Sequence, residues 1–154
     1  MERYDNQTLK KPTEGKKDVA KISYEEARKA ISILKSKNPD STYFGNEKDS
    51  SFDSSLNVIF QTFDGIDLYP SIEEKAANLL CFLVKNHSFS DGNKRIAAYL
   101  FILFLDKNGL LYLNNDTKLI DENTLVAITL MIAQSAPTEK DMMINVLINL
   151  MRNE

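Results

Sequence analysis

Two segments of this chain are apolar on every side of a helix, and a nine-residue polar stretch is strung between them. Residues 76–85 read A-A-N-L-L-C-F-L-V-K, and residues 96–105 read I-A-A-Y-L-F-I-L-F-L. A helix with no polar face has to be covered all round, so this pair belongs at the centre of a domain. Residues 87–95, H-S-F-S-D-G-N-K-R, then lie against the core. Burying such groups costs roughly 2–7 kcal/mol apiece unless hydrogen bonds or a ligand satisfy them. So polar a loop in that position is expected to carry chemistry.

The rest of the chain sets the frame. Its 154 residues, 43% hydrophobic, suffice for one domain with a real core. A net charge of −3 and a pI near 5.3 argue against a constitutive binder of nucleic acid or of an anionic membrane. Cys81 is the only cysteine, so an internal disulfide is impossible, and its apolar flanks make it a core residue rather than a nucleophile. The longest apolar run, 96–105, is too short to cross a bilayer and no signal peptide opens the chain, so a cytoplasmic location is expected.

The pattern predicts an all-α fold, a compact helical bundle with a short extended flap. Residues 1–22 are polar, with clustered lysines and the breakers Pro12 and Gly15, and read as a flexible arm or linker; the domain spans 23–154. Ser23 and Glu26 form a capping box for a helix over about 24–37, ended by Asn38-Pro39. The Ser-, Asp-, Asn- and Gly-rich stretch to about residue 51 reads as loop. Residues 54–63 suit a strand by composition, but Leu56, Ile59, Phe60 and Phe63 share a helical face, and helix is favoured. Residues 64–71, D-G-I-D-L-Y-P-S, make a turn and a short extended piece. Ser71 and Glu74 then cap a helix to about Asn86. The central helix begins near Asn93 and stops at Lys107-Asn108-Gly109. A short extended 110–113 and helices over about 121–134 and 138–152 complete the chain, with Thr138 and Asp141 as the cap of the last.

Each group of the polar loop has a use. His87, the only histidine, accepts a proton near neutral pH. Phe89 can point into the core and pin the loop. Asp91 offers the hard oxygen that suits Mg²⁺ shared with phosphates. Gly92 permits backbone angles closed to other residues. Asn93, Lys94 and Arg95 stand at a helix N-terminus, where free N–H groups and the helix dipole favour anions. Taken singly, the histidine reads as a cap, Asp-Gly-Asn as a turn and Lys-Arg as surface charge. All of them within one loop between two core helices favour a nucleotide-phosphate site with a base beside it.

The loop H-S-F-S-D-G-N-K-R resembles the Fic/Doc (Fido) signature H-x-F-x-(D/E)-G-N-x-R-x-x-R, with an L-Y-P segment upstream where that family keeps its flap. The helix after D-L-Y-P-S also resembles the Fic-type C-terminal region of RhuM-like proteins. The resemblance implies that His87 deprotonates a Ser, Thr or Tyr hydroxyl of a target protein. It implies Asp91 on Mg²⁺, and Gly92, Asn93, Lys94 and Arg95 on the phosphates of ATP. The flap residues Leu68 and Tyr69 would hold the target as an added strand, although Tyr69 reads equally well as a packed aromatic.

One departure divides the expected activity. The second arginine of the signature, which in AMP-transferring members grips the outer phosphates, is Ala98 here. That replacement and the Asn-Lys-Arg order resemble Doc, the kinase toxin of the family, whereas Gly92 resembles the AMP transferases. AMP transfer from ATP (protein AMPylation) is placed marginally first, and Doc-type transfer of the γ-phosphate close behind. A catalytically weak nucleotide-binding module is the reading from a different class. The self-inhibitory helix of many Fic proteins has no clean copy, because S-A-P-T-E-K at 135–140 puts Lys140 after Glu139. A separate antitoxin-like inhibitor is compatible with this.

Overall fold

The computed structural model describes residues 18–112 and 118–152. Six α-helices and one two-stranded hairpin occur among them. Helix α1 (Tyr24–Ser36) starts at the Ser23–Glu26 capping box and buries Ala27, Ala30 and Ile31, one helical stripe. Helix α2 (Ser51–Ile59) buries Phe52, Ser55, Leu56 and Ile59. The helical reading of 54–63 therefore holds for its first part only, and the helix starts three residues earlier than expected. Beyond Ile59 the chain turns into β1 (Thr62–Phe63), paired antiparallel with β2 (Ile66–Asp67). Asp64 and Gly65, both at positive φ, form the two-residue connection. Asp-Gly is the pair such hairpins require, and it outweighs the helical spacing of Phe60 and Phe63.

Helix α3 (Ile72–Asn86) begins at the Ser71–Glu74 box and is the hub of the molecule. It packs against α2, α4 (Asn93–Lys107), α5 (Glu122–Gln134) and α6 (Lys140–Met151). Leu79, Leu80, Leu83, Val84, Ile96, Leu100, Phe101, Phe104 and Leu105 form the interior shared by α3 and α4, as two helices without a polar face demand. Helix α4 stops where expected. Asn108 caps its end by donating from Nδ2 to the Phe104 and Ala20 carbonyls, and Gly109 takes φ 74°.

Three boundaries differ from the sequence expectations. The packed body reaches back before residue 23: Ile22 is buried, Val19 packs on the core, and Ala20 N donates to Asn108 Oδ1 at 2.9 Å. Residues 1–17 of the expected arm lie outside the described residues. Helix α6 is not capped by Thr138 and Asp141. A 3₁₀ turn over Pro137–Glu139 precedes it, and Glu139 Oε1 accepts from Ala136 N at 2.7 Å. Pro137 opens that turn with its fixed φ, so Thr138 is already inside it and cannot be the capping residue. Of the extended piece at 110–113, Tyr112 bridges to Lys118, and residue 113 is outside the described set. Among the described residues no helix is long and apolar enough to cross a membrane.

Candidate active site

The polar loop is built by two reversals of the backbone. His87 ends α3 in the left-handed region (φ 48°, ψ 51°), which histidine tolerates better than most side chains, and its side chain is exposed. Gly92 begins α4 at φ 87°, ψ 12°. Between them the chain dips into the core and out again. Ser88 and Phe89 are buried, whereas Ser90 and Asp91 are exposed. The Phe89 ring lies 4.9 Å, centre to centre, from that of Phe52, and Ser88 Oγ is 2.6 Å from Ser51 Oγ. Phe89 is thus the anchor expected of it, and the histidine and carboxylate around it face solvent.

The side chain of Asn93 closes the loop. Its Oδ1 accepts from Phe89 N at 3.0 Å and its Nδ2 donates to Phe89 O at 2.8 Å. Both ends of the amide are spent on closing the loop, which leaves only its backbone N–H for an anion. No side chain caps α4, and Ile96 N is the first amide of that helix seen to reach a backbone acceptor, Gly92 O at 2.8 Å. The N–H groups of the first turn are therefore open among the described residues, next to the positive end of the helix dipole. Lys94 is exposed and has no ion pair or hydrogen bond among the described residues. Arg95 is exposed, and its Nη1 donates to Asn38 Oδ1. Ala98 sits one turn further along α4, half-buried.

Sequence reasoning missed the segment that holds this loop in shape. Residues 44–48 run beside it as a short ladder, with bridges Phe44–Asp91 and Glu47–Phe89. Gly45 N donates to Asp91 O, Ser90 N to Asn46 O and Lys48 N to Ser88 O, at 3.1, 2.8 and 2.9 Å. Phe44 fills the space beside Gly92, where a Cβ would come within 2.5 Å of its ring. Helix α1 braces the ladder from behind. Arg28 donates to Gly45 O at 2.9 Å and pairs with Glu47 at 3.4 Å, and Tyr24 OH donates to the same carboxylate. Ser41 Oγ donates to Asp91 Oδ2. A loop-like composition was the only signal in this stretch, and it says nothing about a partner fifty residues away.

The flap lies along α3. Lys75, almost wholly buried, donates from Nζ to Asp67 Oδ2 at 2.9 Å and to Tyr69 O, which ties the hairpin to the helix. Leu68 is 48% exposed, and its amide extends the hairpin to Gln61 O at 2.9 Å. The Tyr69 ring packs edge-on to Phe82, 6.4 Å away, and burial pushes its hydroxyl pKa up. Phe82 is five residues before His87, roughly 7–8 Å of helix rise. Leu68 is therefore the freer of the two flap residues, and Tyr69 is largely packing.

The donor set fits a magnesium nucleotide. Among the described residues no three His, Cys, Asp or Glu side chains cluster as a metal cage. Mg²⁺ does not need one: it is commonly held by one or two carboxylates together with substrate phosphates. Asp91 supplies such a carboxylate, exposed and immediately before the open amides of α4. Cys81 offers no competing nucleophile, since it is buried and desolvation pushes its thiol up to about 11. A separate cavity of about 280 Å³ between α3, α5 and α6 is lined by Cys81, Phe82, Ile132 and Met143 and takes in none of residues 87–95.

A model described as the Fic/DOC family matches residues 20–105, more than half of the chain. The match takes in α1, the 44–48 ladder, the flap, α3, the loop and nearly all of α4. The protein described as Toxin Doc from Mycolicibacterium smegmatis is 47% identical over 49 residues, which is 32% of this chain and 38% of that protein. The aligned stretch thus spans well under half of that relative's length. No solved structure matches the chain.

Proposed function

Because the chain belongs to the Fic/DOC family, we propose that it transfers a phosphate-containing group from a magnesium nucleotide to a hydroxyl of a protein. His87 is the general base. It takes the proton of the incoming Ser, Thr or Tyr hydroxyl as oxygen attacks phosphorus and the bridging P–O bond breaks, releasing ADP for attack at the γ-phosphate or pyrophosphate for attack at the α-phosphate. Asp91 holds Mg²⁺, which when bound neutralises phosphate charge. The amides of Gly92, Asn93 and Lys94 receive phosphate oxygens, and Lys94 and Arg95 add positive charge. Leu68 and the edge of β2 receive the target as an added strand. The observation that carries the reading is the pairing of an exposed His87 with an uncapped α4 N-terminus, joined by a loop that buries only Ser88 and Phe89.

Two outcomes of the attack stay in competition, and transfer of the γ-phosphate is the better supported. Ala98 provides no cation one turn beyond Arg95, so an outer phosphate has no second arginine to hold it as a leaving group. Lys94 is a point charge without the planar fork of arginine. The Toxin Doc relative supports a toxin-like role and a separate inhibitor protein. Gly92 keeps the open nest seen in AMP transferases and supports the second reading, attack at the α-phosphate. Incubation of the protein and a cell lysate with ATP labelled at either the α- or the γ-phosphorus distinguishes them. γ-label on protein is the expected result. α-label alone means AMP transfer. Mg-ATP that raises the melting temperature with no label transferred means a binding module.

A further inference from the structure

The turn between α1 and the 44–48 ladder touches two charged groups of the site, Asp91 and Arg95, from outside the family signature. We infer that Asn38 and Ser41 are positioning residues, Ser41 setting the carboxylate of Asp91 for its metal and Asn38 setting the guanidinium of Arg95 for phosphate. The inference rests on the reading of Asp91 and Arg95 given above.

The turn is hydrogen-bonded within itself and to the end of α1. Asn38 N donates to Lys35 O at 2.9 Å, Ser41 N to Asn38 O at 3.2 Å, and Asn38 Nδ2 to Leu34 O at 2.8 Å. With Nδ2 committed to the end of α1, the Asn38 amide cannot flip, and its Oδ1 is held toward Arg95 Nη1. Ser41 Oγ donates to Asp91 Oδ2, so one carboxylate oxygen is occupied and the other, Oδ1, is left as the ligand. From residue 44 onward the ladder fixes the other end of the turn through Asp91 O, Asn46 O and Ser88 O. Arginine and aspartate side chains at a surface otherwise move among rotamers, and holding them beforehand removes that cost from binding. The partners lie 50 and 57 residues apart in sequence, so this arrangement exists only in the folded chain.

Metal binding measured apart from catalysis tests the idea. Mn²⁺ is titrated into the full chain with a non-hydrolysable ATP analogue, and free Mn²⁺ is read by electron paramagnetic resonance. Ser41→Ala is expected to weaken Mn²⁺ roughly tenfold, as loss of an outer-shell partner of a metal ligand does. The metal-free affinity for the analogue should stay as in wild type, and Ser41→Thr should restore the metal. Asn38→Ala is expected to show the reverse pattern, with weaker metal-free analogue binding and unchanged Mn²⁺. Should alanine loosen the turn, Ser41→Val against Ser41→Thr isolates the hydroxyl at constant shape. Wild-type Mn²⁺ affinity in Ser41→Ala or Ser41→Val, with Asp91→Ala unable to bind the ion, overturns the positioning role alone. Undiminished Mn²⁺ in Asp91→Ala overturns the metal assignment itself and the inference with it.

Discussion

At the scale of single residues, the site depends on two backbone conformations that side chains resist. His87 and Gly92 both occupy the left-handed region, and together they turn a core loop outward so that the His87 imidazole and the Asp91 carboxylate reach solvent. That a special loop sits here was readable from its polar residues between apolar helices. That Asn93 would be consumed in closing the loop was not, since its amide pairs with the backbone of Phe89 only after the turn has formed. Gly92→Ala meets both a forbidden φ and the Phe44 ring at 2.5 Å. It should cost about 2–4 kcal/mol, seen as a lower urea midpoint with unchanged slope. Thr129 illustrates the opposite case. Its Oγ1 is buried without a partner among the described residues, so Thr129→Val should raise the melting temperature by about 3 °C.

At the scale of elements, what could be read depended on periodicity. Capping boxes at Ser23 and Ser71 and the Asn108-Gly109 stop gave helix ends to within a residue, because each signal acts locally. The hairpin at 62–67 was half-hidden by helical spacing and decided by Asp64-Gly65. The 44–48 ladder was invisible, since its pairing with 88–91 is non-local and its residues have no pattern of their own. That ladder makes the 87–92 loop a packed element rather than a free one. The amides of Gly45, Lys48 and Ser90 should therefore exchange slowly in D₂O, at rates close to those of the α3 core. Phe44→Ala removes a ring that is only 2% exposed and should cost about 3–5 kcal/mol. Those three amides should then exchange much faster than α3; an equal acceleration in both would show that the ladder has no separate dependence on Phe44.

At the scale of the whole molecule, α3 joins everything. Its first turn holds the flap through Lys75, its middle packs against four helices, and its end presents His87. An all-α bundle was legible from the two apolar helices together with the capping boxes and helical spacing of the segments around them. Cys81 on α3 reports on this core through linkage. Burial raises its folded pKa to about 11 from the ordinary 9.0, so the folded state keeps a proton that the unfolded state loses. Its contribution is complete below pH 9 and is lost as pH rises from there toward 11. Stability measured by urea should fall more steeply over that window in wild type than in Cys81→Ala. Equal slopes would mean that the thiol is not sealed in the interior.

The central claim, that the loop between α3 and α4 carries out group transfer with His87 as base, is tested most directly by single-turnover transfer of labelled phosphate from ATP to protein. Wild type and His87→Ala are compared at saturating Mg-ATP, with nucleotide binding checked in each. The account predicts unchanged binding and a rate lowered by about 10²–10⁴-fold in the variant. A variant that binds nucleotide and transfers label at the wild-type rate would contradict it.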